Sequence, residues 1–395
     1  MRLAALALLA ALAASPDIGS LSWRAQRACD GTDGTPTVAR LCASGAIALP
    51  SARDTAQSVQ TPGAARETDR TGETGQFREP DFERQLQQQA QTDRTWRAAS
   101  EGHMHMEKIT YRSRVGDLDI PAFVFQPLKL RGTRGHPALV WVHENIRGHL
   151  YEHYIPYVRE ATAKGYIVIA PEYRGSIGYG KAFYDAIDYG GTEVDDVVTA
   201  VDVLKSRYAP ADPSRVGIIG WSHGAMIALL AIARNPALFK SAVAMVPVTN
   251  LFQRLAWKGV EWQKEAIDPQ NRYGGLPHER REIYKERSPL FQVDKLQIPL
   301  YVAVAKYDED VNIEEDMQLV DALRSRKAGL AETRVYENPP GGHTFDRRVD
   351  AKTWQPENTR EQRDSWNRVW TFLDWHLDPF HDAGGSAVST FQPKR

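Results

Sequence analysis

The pentapeptide Gly220-Trp221-Ser222-His223-Gly224 constrains this chain more than any other stretch. The apolar run Val216-Gly217-Ile218-Ile219 precedes it, and Ala225-Met226-Ile227-Ala228-Leu229-Leu230-Ala231 follows. The first run reads as a buried strand and the second as a helix. A serine pinched between them sits in a strained turn that pushes its hydroxyl out at the top of a sheet. Glycines flank it because a Cβ on either side would meet the adjoining strand and helix.

The rest of the chain repeats the strand-helix rhythm. Lys108–Ser113 alternates like a strand, Val115-Gly116-Asp117 makes a turn, and Ile120–Phe125 returns, with Pro121 suited to an edge position. Ala138-Leu139-Val140-Trp141-Val142 is a continuous apolar run, as for a strand covered on both faces. A helix over Tyr154–Lys164 and a strand over Tyr166–Ala170 complete a β-α-β unit. Val194, Val197, Val198, Val201 and Leu204 form one helical stripe. Ser241–Val246 is a further strand. Residues 251–290 break the rhythm with Trp257, Trp262 and Tyr273 among charges, and read as a cap over the site. The aromatics either line a pocket there or pack the cap on the core. A strand over Pro299–Ala305, a helix over Glu314–Arg326, a strand over Thr333–Tyr336 and a helix over Asn358–His376 follow.

An acid belongs in the loop after the strand at 299–305, where Asp308, Glu309 and Asp310 stand. A histidine belongs after the next strand, where His343 lies in Pro339-Pro340-Gly341-Gly342-His343-Thr344-Phe345. Serine, acid, histidine in that chain order is the arrangement of the α/β-hydrolase fold: a mostly parallel, twisted sheet with helices on both faces. A serine hydroxyl is a poor nucleophile until a base takes its proton, the part expected of His343. The carboxylate would hold the imidazole tautomer and stabilise the imidazolium. The main-chain N–H of His223 is one expected oxyanion donor. The second is expected from the loop after Val142, where Glu144 and Asn145 stand.

The segment Tyr173-Arg174-Gly175-Ser176-Ile177-Gly178-Tyr179-Gly180 resembles the R-G-S-x-G-Y-G segment of the prolyl oligopeptidase family catalytic domain. That family also has a G-x-S-x-G elbow and a D-x-x-V acid loop, similar to Asp308-Glu309-Asp310-Val311. The resemblance covers residues 105–378 and selects Asp308 over Asp310 as the acid. It implies a serine peptidase acting on small peptides through an acyl-enzyme. Tyr173 and Arg174 are expected mainly to order their loop, and Tyr173 is also a candidate to face substrate. Where family members commonly have H-G-G, this chain has His143-Glu144-Asn145-Ile146-Arg147-Gly148. H-E-x-x-G is similar to dienelactone hydrolases, which implies that Glu144 reaches Ser222, supplies its N–H, or meets a substrate amine. A carboxylesterase or lactonase is therefore the alternative activity. A hydrolase-fold protein that only binds is the alternative from another class.

Residues 1–14 carry one arginine and then an unbroken apolar run, too short to span a bilayer and suited to a signal peptide, which implies export to the periplasm or beyond; read instead as an alanine-rich helix, the run implies a cytoplasmic chain. Residues 15–104 read as a polar, largely disordered leader with one helix over Asp81–Arg97, docked by Phe82, Leu86 and Ala90. Order is expected from about Met106, and residues 379–395 read as a loose tail. Cys29 and Cys42 precede the domain and are free to pair in an oxidising compartment. His103 and His105 lack companion ligands, so no metal or cofactor is expected. A net charge of −1 gives no basis for binding nucleic acid.

Overall fold

The computed structural model describes residues 80–131, 135–267 and 273–379. The signal-like segment, Cys29, Cys42 and the tail from residue 380 lie outside the described residues. The strands are β1 (Met104–Arg112), β2 (Asp119–Pro127), β3 (His136–Val142), β4 (Ile167–Pro171), β5 (Ala211–Trp221), β6 (Ser241–Met245), β7 (Leu300–Ala305) and β8 (Ala331–Tyr336). They form one eight-stranded sheet in the order β1-β2-β4-β3-β5-β6-β7-β8. The pairs β1/β2 and β2/β4 are antiparallel, and every later pair is parallel.

Burial follows from position in the sheet. Every residue of β3, β4, β6 and β7 is buried, because helices cover both faces. The edge strands alternate instead, β1 exposing Glu107 and Arg112, and β8 exposing Glu332 and Arg334. Such charges also discourage pairing with another chain. Successive side chains of β3 enter opposite cores. Ala138, Val140 and Val142 join α4 (Glu193–Arg207), α5 (His223–Arg234) and α9 (Ile313–Arg326). Leu139 and Trp141 join α1 (Phe82–Ser100), α2 (Ile155–Lys164) and α10 (Arg360–Leu377). The shorter helices are α3 (Lys181–Asp185) and, within residues 251–290, α6 (Leu251–Lys258), α7 (Val260–Ile267) and α8 (Arg281–Glu286). Among the described residues no helix is long and apolar enough to cross a membrane.

Three expectations are corrected. Helix α1, capped by Asp81, does not dock through Leu86 and Ala90, which are exposed. It turns Gln89, Thr92, Trp96 and Ala99 inward. Trp96 decides the face. Its ring centroid lies 4.9 Å from that of Phe125 and its Nε1 donates to the Leu150 carbonyl at 3.0 Å. A fully buried indole with its N–H satisfied outweighs the smaller apolar stripe. The packed domain accordingly includes α1, rather than starting near Met106. Finally, β2 is not an edge strand. Pro121 is tolerated because it precedes the first β4 register pair, Ala122 with Pro171.

Candidate active site

The elbow is built by close approach. Ser222 has φ 52° and ψ −119°, a left-handed conformation that a serine adopts only under constraint. Its N–H donates to Met245 at 3.0 Å, holding it to the end of β6. A Cβ on Gly220 would lie 2.3 Å from the Gly224 carbonyl oxygen, and one on Gly224 would lie 2.3 Å from that of His143. The two glycines thus let strand, helix and the loop after β3 converge. Ser222 is also the N-cap position of α5, so the positive end of that helix lies beside its hydroxyl.

β5, β7 and β8 run parallel, so Ser222, Asp308 and His343 follow strands at the same edge of the sheet. Glycine again permits the contact. Gly342 has φ 49°, and a Cβ there would meet the Tyr307 carbonyl oxygen at 2.6 Å. The histidine loop therefore presses against the acid loop. Asp308 Oδ2 lies 2.7 Å from His343 Nδ1. Its Oδ1 accepts from the N–H groups of Asp310 and Val311, both at 2.8 Å. Burial opposes the Asp308 charge, but His343 and the two N–H groups outweigh it and hold the carboxyl below its usual range. Burial likewise opposes charge on His343, and Asp308 outweighs it, raising the imidazole above its usual value. Asp310 turns outward, 3.9 Å from Lys258.

The loop after β3 holds its candidates differently from expectation. The Glu144 carboxylate does not reach Ser222. It is buried, with Oε2 bonded by Arg347 and Oε1 3.2 Å from His153 Nε2. Burial would raise its pKa, but Arg347 first and His153 second hold it far below. Asn145 has φ 66°, and its Nδ2 donates to the Tyr151 hydroxyl at 2.8 Å. Tyr173 has no surface for substrate. It is fully buried, with its hydroxyl 2.6 Å from the Asn145 carbonyl oxygen, and thus orders the loop. The His143 ring stacks on Tyr173 at 4.2 Å, and burial pushes its pKa down to about 3, so it is neutral. Arg174 is structural too, clasping Asp196 through Nε and Nη2, each at 2.7 Å.

His223 turns its buried ring toward α4, where Nε2 lies 3.4 Å from Glu193 Oε1. Its main-chain N–H remains at the start of α5. Within residues 251–290, Tyr273 is buried against Tyr189 at 5.3 Å and Tyr284 at 4.6 Å, so it packs. Trp262 is half-buried, 5.7 Å from Tyr189, and Trp257 is 38% exposed. Sequence reasoning missed Glu193, Asp346 and Arg347. The one sequence signal for the last two is a charged pair close behind His343.

A model of the prolyl oligopeptidase family matches residues 153–379, which include Ser222, Asp308 and His343. The chain belongs to the prolyl oligopeptidase family. The uncharacterized peptidase YuxL of Bacillus subtilis is 29% identical over 284 residues, covering 69% of this chain and 39% of that one. The acylamino-acid-releasing enzyme of Arabidopsis thaliana is 30% identical over 188 residues, covering 46% and 24%. Among solved structures, the Pyrococcus horikoshii acylaminoacyl peptidase superposes with a TM-score of 0.59 at 19% identity, covering 72% of this chain and 44% of that one. This likeness supports the α/β-hydrolase fold. The chain thus spans less than half the length of each of these relatives. The His143–Gly148 segment precedes the span that the family model matches.

Proposed function

We propose that this chain is a serine peptidase that cleaves short peptides through an acyl-enzyme on Ser222. His343 Nε2 takes the proton of the Ser222 hydroxyl as Oγ attacks the scissile carbonyl. The imidazolium then protonates the leaving amine. Water, activated by the same nitrogen, releases the acyl group and regenerates the serine. Asp308 fixes the tautomer with the proton on Nδ1 and stabilises the imidazolium. The N–H of His223 and one from the loop at 143–145 receive the oxyanion.

The 2.7 Å contact between Asp308 Oδ2 and His343 Nδ1 carries this reading, because it leaves Nε2 as the basic nitrogen. The short-peptide class rests on the names of relatives, which refer to acylaminoacyl and dipeptidyl groups. The test is kcat/KM for wild type and Ser222→Ala on aminoacyl and dipeptidyl anilides beside p-nitrophenyl esters of rising chain length. Anilide turnover that vanishes in the variant is expected. Ester turnover alone would make the chain a carboxylesterase. No turnover of either, with no fluorophosphonate labelling of folded protein, would favour the binding reading.

A further inference from the structure

We propose that Arg347 is a positioning residue that ties the His343 loop, the elbow strand and the loop after β3 into one unit; this rests on the peptidase reading above. Arg347 is 1% exposed, so bulk solvent does not reach its guanidinium and protein acceptors take its charge. Nη1 donates to the His343 carbonyl at 2.7 Å and to Asp346 Oδ1 at 2.9 Å. Nη2 donates to Glu144 Oε2. The other oxygen of Asp346 accepts from Trp221 Nε1 at 2.6 Å, and Trp221 immediately precedes Ser222. One planar cation therefore contacts the main chain of the general base directly. It reaches the residue before the nucleophile through Asp346, and the candidate oxyanion loop through Glu144.

The chemistry favours arginine over any other side chain here. A guanidinium offers several N–H donors in a fixed plane, so it can bond acceptors on separate loops without moving. A lysine presents one flexible point charge. The arrangement is also self-enforcing. Removing any one partner leaves a buried charge or acceptor unpaired, which is costly, so the two loops and the strand hold together. The backbone of His343 is pinned from one side by Arg347, while its ring is pinned from the other by Asp308. A general base constrained at both ends keeps its Nε2 in one place, and a displacement of 1 Å can cost about 100-fold in rate.

The test compares wild type with Arg347→Lys, Arg347→Met and the charge-balanced pair Glu144→Gln with Arg347→Met. The readout is the rate of fluorophosphonate labelling of Ser222, which needs no known substrate, measured across pH. Asp308 in contact, and the charge of the outward-turned Asp310 from further off, favour protonation of His343, and Arg347 opposes it. Loss of the arginine is therefore expected to slow labelling about 100-fold and to move its acid limb to higher pH. Arg347→Lys should keep the limb in place and recover part of the rate. A merely structural arginine would change melting temperature and leave the limb unmoved. Folded variants that label within threefold of wild type, with an unmoved limb, would overturn the proposal. So would failure of every variant to fold, since the role would then be stability alone. If wild type itself is not labelled, the peptidase reading fails instead.

Discussion

Asparagine at position 308 would have the shape of the aspartate but a single oxygen. Two orientations compete. With its oxygen at the Oδ1 position it keeps the N–H groups of Asp310 and Val311, both at 2.8 Å, and turns its NH2 toward His343. Flipped, it keeps an acceptor for His343 Nδ1, but two main-chain donors then face an NH2. Each unsatisfied buried donor costs about 1–3 kcal/mol, so two outweigh the one contact to histidine by about 1–3 kcal/mol. The first orientation wins. His343 Nδ1 must then accept, the ring proton moves to Nε2, and Nε2 can no longer take the serine proton. A wrong tautomer in this arrangement costs about 10⁴-fold in kcat, or about 5.4 kcal/mol. Asp310→Asn should stay within about twofold, because that side chain is 60% exposed. The assay is initial rates on an anilide and an ester, with fluorophosphonate labelling and thermal melts of all three proteins. A folded Asp308→Asn protein within tenfold of wild type would refute the tautomer argument. A larger loss in Asp310→Asn would move the acid to that residue.

Because Asp308 raises the basicity of His343, the acid limb of kcat/KM should be centred above about pH 6.5, and a pH-rate profile centred below it would contradict the pairing. The raised imidazole contributes stability that is full below about pH 6.5 and is lost as pH rises through its folded value. The depressed carboxyl of Asp308 contributes above about pH 3.9 and loses it as pH falls through its own folded value, so urea midpoints against pH should decline in both directions. Gly342→Ala places a Cβ 2.6 Å from the Tyr307 carbonyl oxygen at φ 49°. It should destabilise by about 1–3 kcal/mol and lower kcat far more than KM, and an unchanged kcat would count against the close loop contact. Trp96→Ala should destabilise by about 3–5 kcal/mol in urea, since the indole is fully buried; a loss under about 1 kcal/mol would mean that α1 does not belong to the packed domain.

Much of this architecture is legible in the sequence because it is encoded locally. The runs at Ala138–Val142 and Leu300–Ala305 are apolar throughout because both faces are covered. The valine stripe from Val194 to Leu204 reports one buried helix face. The elbow glycines report contacts that exclude a Cβ. What escapes the sequence is long-range. Leu86 looks like part of a docking stripe, yet the face of α1 is chosen by Trp96 meeting Phe125 and the Leu150 carbonyl. Pro121 suggests an edge, yet the order of strands depends on pairings that no local pattern specifies. Glu144 looks free beside the elbow. It is engaged by an arginine 203 positions further along the chain. Polar partners in a core carry no periodicity, so Arg347 and Asp346 read as ordinary surface charges until the loops are seen together.

Helix α1 sets where this domain can be cut. It precedes the span matched by the family, and a domain boundary drawn from that span alone would discard it. Fragments beginning at Met104 would expose the apolar faces of Phe123 and Phe125 and leave the Leu150 carbonyl without its indole donor. They would also release Glu152 from Thr92, and Lys108 from Asp93. For expression, fusion or grafting, α1 therefore has to stay with the sheet it covers.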